Sequence, residues 1–178
     1  VGEIGNDGCL CHGALNSDTK ISISGLPEKF ESATNYSLQL TISNEEIARN
    51  NQSAQGGFRI IVNIGVLYFN NSEGIIIDDG WTHQESSNQQ RIWNFSWLSP
   101  DDNTTMAKLL VYGNAVNGNQ QQTGDNWNEL EVYIPGVQNF DPIPTQTNTE
   151  HELEAFDRTM LFFGLIVLLY ICYRIIKD

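Results

Sequence analysis

Between residues 20 and 134, short runs in which apolar and polar residues alternate are separated by clusters of Gly, Asn, Asp and Pro. An alternation of period two puts successive side chains on opposite faces of a strand, so each run reads as a strand with one face on a core. Ile21 and Ile23 form one run, and Tyr36, Leu38, Leu40 and Ile42 another. Residues 58–67 are more continuously apolar, and 91–97, 107–112 and 130–134 complete the set. About seven strands at this spacing, with no amphipathic helix between them, predict a mainly β, antiparallel sandwich. In Trp93, Phe95 and Trp97 the aromatics share one face while Asn94 and Ser96 share the other, so the aromatic stripe is expected in the core.

The pattern changes after residue 134. Residues 135–151 hold three prolines among polar residues and show no apolar period, which suits a stiff extended stalk. Residues 160–171 are uncharged, and Cys172, Tyr173, Ile175 and Ile176 extend the apolar run past Arg174. Counted from Phe156, this reaches the roughly 20 residues that a helix needs to cross a bilayer, if Asp157 and Arg158 sit among headgroups and Arg174 snorkels. Glu150, Glu152, Glu154 and Asp157 precede the run, whereas Arg174 and Lys177 follow or close it. The positive-inside bias then predicts a single-pass protein of the cell membrane, with the domain outside and the C-terminus cytoplasmic. The expected organisation is an N-terminal segment 1–19, a sandwich 20–134, a stalk 135–155, a transmembrane helix 156–176 and a tail 177–178.

Charge narrows the partners. With 9 Lys+Arg against 22 Asp+Glu, the net charge of -13 argues against nucleic acid and against an anionic lipid surface. Lipid around the C-terminal helix and other membrane subunits are the partners expected instead. Asn-x-Ser/Thr triplets begin at Asn35, Asn51, Asn70, Asn94 and Asn103, which suits an exported, glycosylated chain. The sequence opens at Val1 without an apolar leader, which reads as a chain whose signal peptide has been removed. Cys9 and Cys11 lie together and Cys172 lies in the apolar run, so no disulfide framework spans the domain. Gly-x-Ser-x-Gly, His-Glu-x-x-His and phosphate-cradling loops are absent, and His12, His83 and His151 are the only histidines. The chain is therefore expected not to be an independent enzyme; any catalytic involvement would be as a subunit of a larger oxidoreductase. Asp78-Asp79-Gly80 and residues 113–126 offer oxygen ligands, but they lack EF-hand spacing and read as turns.

Six pieces recur in an order that resembles the choice-of-anchor V domains, relatives of the Reeler domain: GCLCHG at 8–13, 23–43, GGFRI at 56–60, Thr82-His83, RIWNFSWLSP at 91–100, and 111–126. The resemblance implies an exported, immunoglobulin-like sandwich carrying a C-terminal anchor. Similar members often open with Cys-x-x-Cys-His-Gly, the pattern of covalent c-type haem attachment, and also place a His after Thr where His83 stands.

Haem c attachment uses two thiols on the vinyl groups and the following His on the iron. Here Cys9, Leu10, Cys11 and His12 are one residue short of that spacing, while Cys11-His12 keeps one thioether and the axial ligand. Two thiols and an imidazole in four residues also suit copper(I) or zinc with a ligand from elsewhere. A small strained disulfide, or a staple with no cofactor, are the other readings. His83 is the further ligand that the resemblance implies, with Met106 and His151 as weaker ones. Two functions follow. One is a membrane-anchored electron-transfer or metal-binding module, with Cys9 and Cys11 holding the cofactor and His12 and His83 as ligands. The alternative is a non-catalytic accessory subunit of a membrane complex, such as a copper or haem oxidase, or a surface adhesion domain.

Overall fold

A computed structural model describes residues 13–47, 53–121 and 123–144, together with residues 160, 162–168, 170, 173 and 177 near the C-terminus. The chain forms two compact units, Val1–Asn148 and Thr149–Asp178. The first unit is mainly β. Its strands are β1 (Ala14–Leu15), β2 (Lys20–Ser24), β3 (Asn35–Ser43), β4 (Gly56–Val62), β5 (Val66–Phe69), β6 (Gly74–Ile77), β7 (Gly80–His83), β8 (Ile92–Leu98), β9 (Met106–Ala115) and β10 (Asn126–Pro135). They form a six-stranded sheet in the order β1-β10-β9-β4-β7-β6 and a four-stranded sheet in the order β2-β3-β8-β5. The pairings are antiparallel apart from β1 with β10.

The inner faces of the two sheets share one core. Leu38, Leu40, Ile42, Trp93, Phe95 and Trp97 come from the four-stranded sheet. Phe58, Ile60, Leu109, Val111, Val132 and Ile134 come from the six-stranded one. The aromatic stripe of β8 is buried as its alternation predicts, with Trp93 and Trp97 at 0% exposure. Phe69 joins it in parallel with Phe95 at 4.8 Å between ring centres, and Phe58 meets both Phe69 and Trp93 at about 5 Å. The buried indoles keep their hydrogen bonds: Trp93 Nε1 donates to Ser87 O and Trp97 Nε1 to Ile64 O.

Ten strands among the described residues exceed the seven expected, because short strands carry little periodic signal. The apolar run 58–67 divides into β4 and β5 at Asn63-Ile64-Gly65. Gly65 turns there at φ +78°, and an added Cβ would lie 2.4 Å from Trp97 Nε1. β6 and β7 form a hairpin closed by Ile77 opposite Gly80. Its two-residue loop, Asp78 at φ 45° and Asp79 at φ 58°, has the left-handed geometry that matches the twist of paired strands.

After β10 the main chain continues against the domain. Phe30 N donates to Pro135 O, Val137 N donates to Phe30 O, and Asn139 is buried with its Nδ2 on Thr104 O. In the second unit residues 162–168 are helical, as are Met160, Tyr170, Tyr173 and Lys177, and the side chains of all of them are exposed. Among the described residues no helix is long and apolar enough to cross a membrane. The rest of the predicted span 156–176 lies outside the described residues.

Candidate functional site

His83 ends β7 where that strand parts from β4. The two strands pair at Arg59 opposite Thr82 and Ile60 opposite Trp81. One step further the imidazole replaces the main-chain acceptor, and Phe58 N donates to His83 Nδ1 at 3.1 Å. The ring has room because its neighbour on β4 is Gly57, where a Cβ would come within 2.5 Å of His83 Cε1. Thr82 Oγ1 donates to Phe58 O alongside. With Nδ1 accepting, the neutral ring carries its proton on Nε2; with Nδ1 protonated it donates to Phe58 O at 3.3 Å and the ring's lone pair lies on Nε2.

Cys9, Cys11 and His12 lie outside the described residues. Ala14 on β1 and His83 on β7 stand at the same end of the six-stranded sheet, four strand spacings apart, or roughly 19 Å. Among the described residues no three His, Cys, Asp or Glu side chains are grouped to hold a metal ion. Met106 sits half-buried at the start of β9. His151 and Cys172 lie outside the described residues.

Of the glycosylation candidates, Asn35, Asn70 and Asn94 are exposed and Asn103 is half-buried. Asn51 lies outside the described residues. The loop from β9 to β10 is built of side-chain turns, with Asn117 Oδ1 accepting from Asn119 N and Asp125 Oδ1 accepting from Asn117 N.

Two arginines, Arg59 and Arg91, are buried, and both bind main-chain carbonyls. Arg59 donates to Ile77 O and Asp78 O, which ties β4 to the β6–β7 turn. Burial pushes its guanidinium below the ordinary arginine value, and Asp78 pushes it back up. Arg91 donates to Gln55 O, Ile47 O and Val116 O, three separate segments at one end of the sandwich. On the outer face of the six-stranded sheet Lys108 and Glu131 pair at 2.5 Å, and Tyr133 OH donates to Glu131. The Lys108 bond holds Glu131 below the usual carboxylate range, and Glu131 holds Lys108 above the usual amine.

The four-stranded sheet presents a different outer face. A shallow groove of about 510 Å³ runs over β2, β3, β8 and β5, lined by Ser24, Ser37, Gln39, Tyr68, Asn94 and Ser96 over a floor that includes Gly25. Gln39 Nε2 donates to Asn94 Oδ1 at 2.9 Å across the β3–β8 ladder. Gly25 turns the chain away at φ +86°, and a Cβ there would meet Ser37 O at 2.4 Å. The sequence signal for this face is the polar half of each alternation, which carries neither core residues nor metal ligands.

No protein family matches this sequence, and no curated protein does. Solved structures with a similar build include the Reelin-N domain of F-spondin, at 13% identity and TM-score 0.49, covering 76% of this chain and 99% of that one. The human F-spondin reeler domain has 13% identity and TM-score 0.47, covering 75% and 99%. A conjugative transposon lipoprotein from Bacteroides eggerthii has 11% identity and TM-score 0.40, covering 67% and 98%. Likenesses at this level carry no inference about chemistry.

Proposed function

We propose that this chain is a non-catalytic interaction module, an accessory subunit or surface domain, held on the outer side of a membrane by its C-terminal helix. The observation that carries the reading is the open outer face of the four-stranded sheet. Elsewhere Arg59, Arg91 and His83 each serve main-chain groups, and Lys108, Glu131 and Tyr133 bind one another. That face, by contrast, presents hydroxyls, amides and a phenol to solvent. The anchor is supported by a helix whose described apolar side chains, Phe162, Phe163, Leu165, Ile166, Val167 and Leu168, are all exposed, an arrangement that water does not favour. Membership of the choice-of-anchor V domains and an immunoglobulin-like strand arrangement belong to the same reading, supported by the six ordered sequence pieces.

The test is extraction of native membranes. The chain should resist alkaline carbonate, enter mild detergent, and co-purify with a defined partner in constant ratio. Release by carbonate would remove the anchor, and a chain that runs alone at every detergent concentration would remove the subunit reading.

A second reading, haem c or another metal bound by Cys9, Cys11 and His12, is supported by the Cys-x-Cys-His cluster and by the His after Thr at position 83 that the resemblance implies. His83 fits a further ligand through Nε2, provided Nδ1 donates to Phe58 O as metal-binding histidines commonly do. A pyridine haemochrome spectrum with metal analysis decides it: stoichiometric haem or metal would replace the first reading, and absence of both would end the second.

A further inference from the structure

The groove on the four-stranded sheet has a chemistry that selects among partners. Apart from Lys20 at one end of β2, the outward positions of β2, β3, β8 and β5 are uncharged, in a chain with 22 Asp+Glu and 9 Lys+Arg. An uncharged face gives no electrostatic hold on phosphate or on an anionic headgroup. Nor does it offer the deep apolar pockets in which anchor residues of a protein partner sit.

What it does offer is a set of short, rigid hydrogen-bonding groups beside one exposed ring. Gln39 and Asn94 hydrogen-bond to each other through one amide N–H and one carbonyl oxygen. Whichever way the two amides are turned, that bond leaves one amide nitrogen group and one carbonyl oxygen of the pair for other partners. That is the complement of two adjacent hydroxyls, one donating and one accepting. The Ser24, Ser37 and Ser96 hydroxyls line the same groove and bond to no protein group among the described residues. Tyr68, 49% exposed, edges the groove from β5 with a ring on which the C–H face of a sugar can stack.

We propose that, in a chain whose Asn94 carries no glycan, this groove binds a neutral oligosaccharide, with Tyr68 as the stacking platform and the Gln39–Asn94 pair reading adjacent hydroxyls. The proposal rests on the interaction-module reading and names the ligand class of its open face. Gly25 lies at the β2 end of the groove, where a Cβ would meet Ser37 O at 2.4 Å.

The experiment is isothermal titration of the full chain, free of N-glycans and held in a sugar-free detergent. The probes are cellohexaose, chitohexaose and mannohexaose, with oligogalacturonate as the charged control. At least one neutral hexasaccharide should bind, with little dependence on salt, and the oligogalacturonate should not. Tyr68→Ala and Gln39→Ala should each weaken that binding about tenfold, while Ile75→Ala on the other sheet should leave it unchanged. Tyr68 is exposed, so an unchanged melting profile checks that its variant is folded. Binding to none of the neutral probes, or binding that survives Tyr68→Ala in full, would overturn the proposal. Either failure would leave a partner that co-purifies in detergent untouched, so loss of the glycan does not imply loss of the broader function.

Discussion

The outer faces of the two sheets are built from the same alternation and end in opposite states. On the six-stranded sheet the outward residues bind one another. Lys108 pairs with Glu131 and lies 5.5 Å from the Tyr133 ring centre, while Tyr112 meets Trp127 edge-on at 6.2 Å. Arg59, buried beside them, holds the β6–β7 turn. On the four-stranded sheet the outward residues are uncharged apart from Lys20, include the exposed Val66, Tyr68 and Ile92, and are joined across strands by the Gln39–Asn94 bond. The first face is part of what stabilises the fold. The second contributes little to it and is free to do something else.

Four substitutions test that contrast. The largest effect is expected for Arg59→Ala, which leaves Ile77 O and Asp78 O without their buried donor and opens a void beside Gly80. A loss of about 3 kcal/mol in urea denaturation is expected. A loss below about 0.5 kcal/mol would show that the turn satisfies its own carbonyls. Next is Gly57→Ala, whose methyl group would overlap the His83 ring. It should cost about 1–2 kcal/mol and shift the His83 ring resonances in the NMR spectrum, whereas resonances that stay put would place the ring elsewhere.

Glu131→Gln should cost only a few tenths of a kcal/mol, because both partners are about one-third exposed. Its effect has a defined pH window. Glu131 is depressed, first by its bond to Lys108, so its contribution is present above the unfolded carboxylate value near about 4.3 and is lost as pH falls through the folded value. Lys108 is raised, first by its bond to Glu131, so its share is complete below about 10.4 and is lost as pH rises through its folded value. The difference between wild type and variant should therefore be flat around neutrality and close at both ends. The smallest effect is expected for Tyr68→Ala, within about 0.5 kcal/mol of wild type. A larger loss would mean that the four-stranded face is structural after all.

How far these faces could be read in advance depended on the residue. Tyr36, Leu38, Leu40 and Ile42, and the Trp93, Phe95, Trp97 stripe, declared their inward face by period alone, and the structure buries all of them wholly or in part. Asp78 and Asp79 read as a turn and form one. Arg59 and Arg91 gave no such signal, since a charged side chain in an alternating run reads as solvated. Each is buried because carbonyls distant in sequence converge on it. The division of residues 58–67 was equally hidden, because Ile64 continues the apolar run while Gly65 turns it.

Alternation is a local property, and it was enough to determine a mainly β domain, its aromatic core and the polar side of each strand. Pairing is not local. Only the tertiary structure decided that β1 lies beside β10, that His83 caps the ladder of β4 by accepting Phe58 N–H, and that Gln39 meets Asn94 across two strands. Those contacts join residues 25 to 112 positions apart, and their geometry follows from sheet register and from how tightly glycines such as Gly57 let neighbouring groups approach.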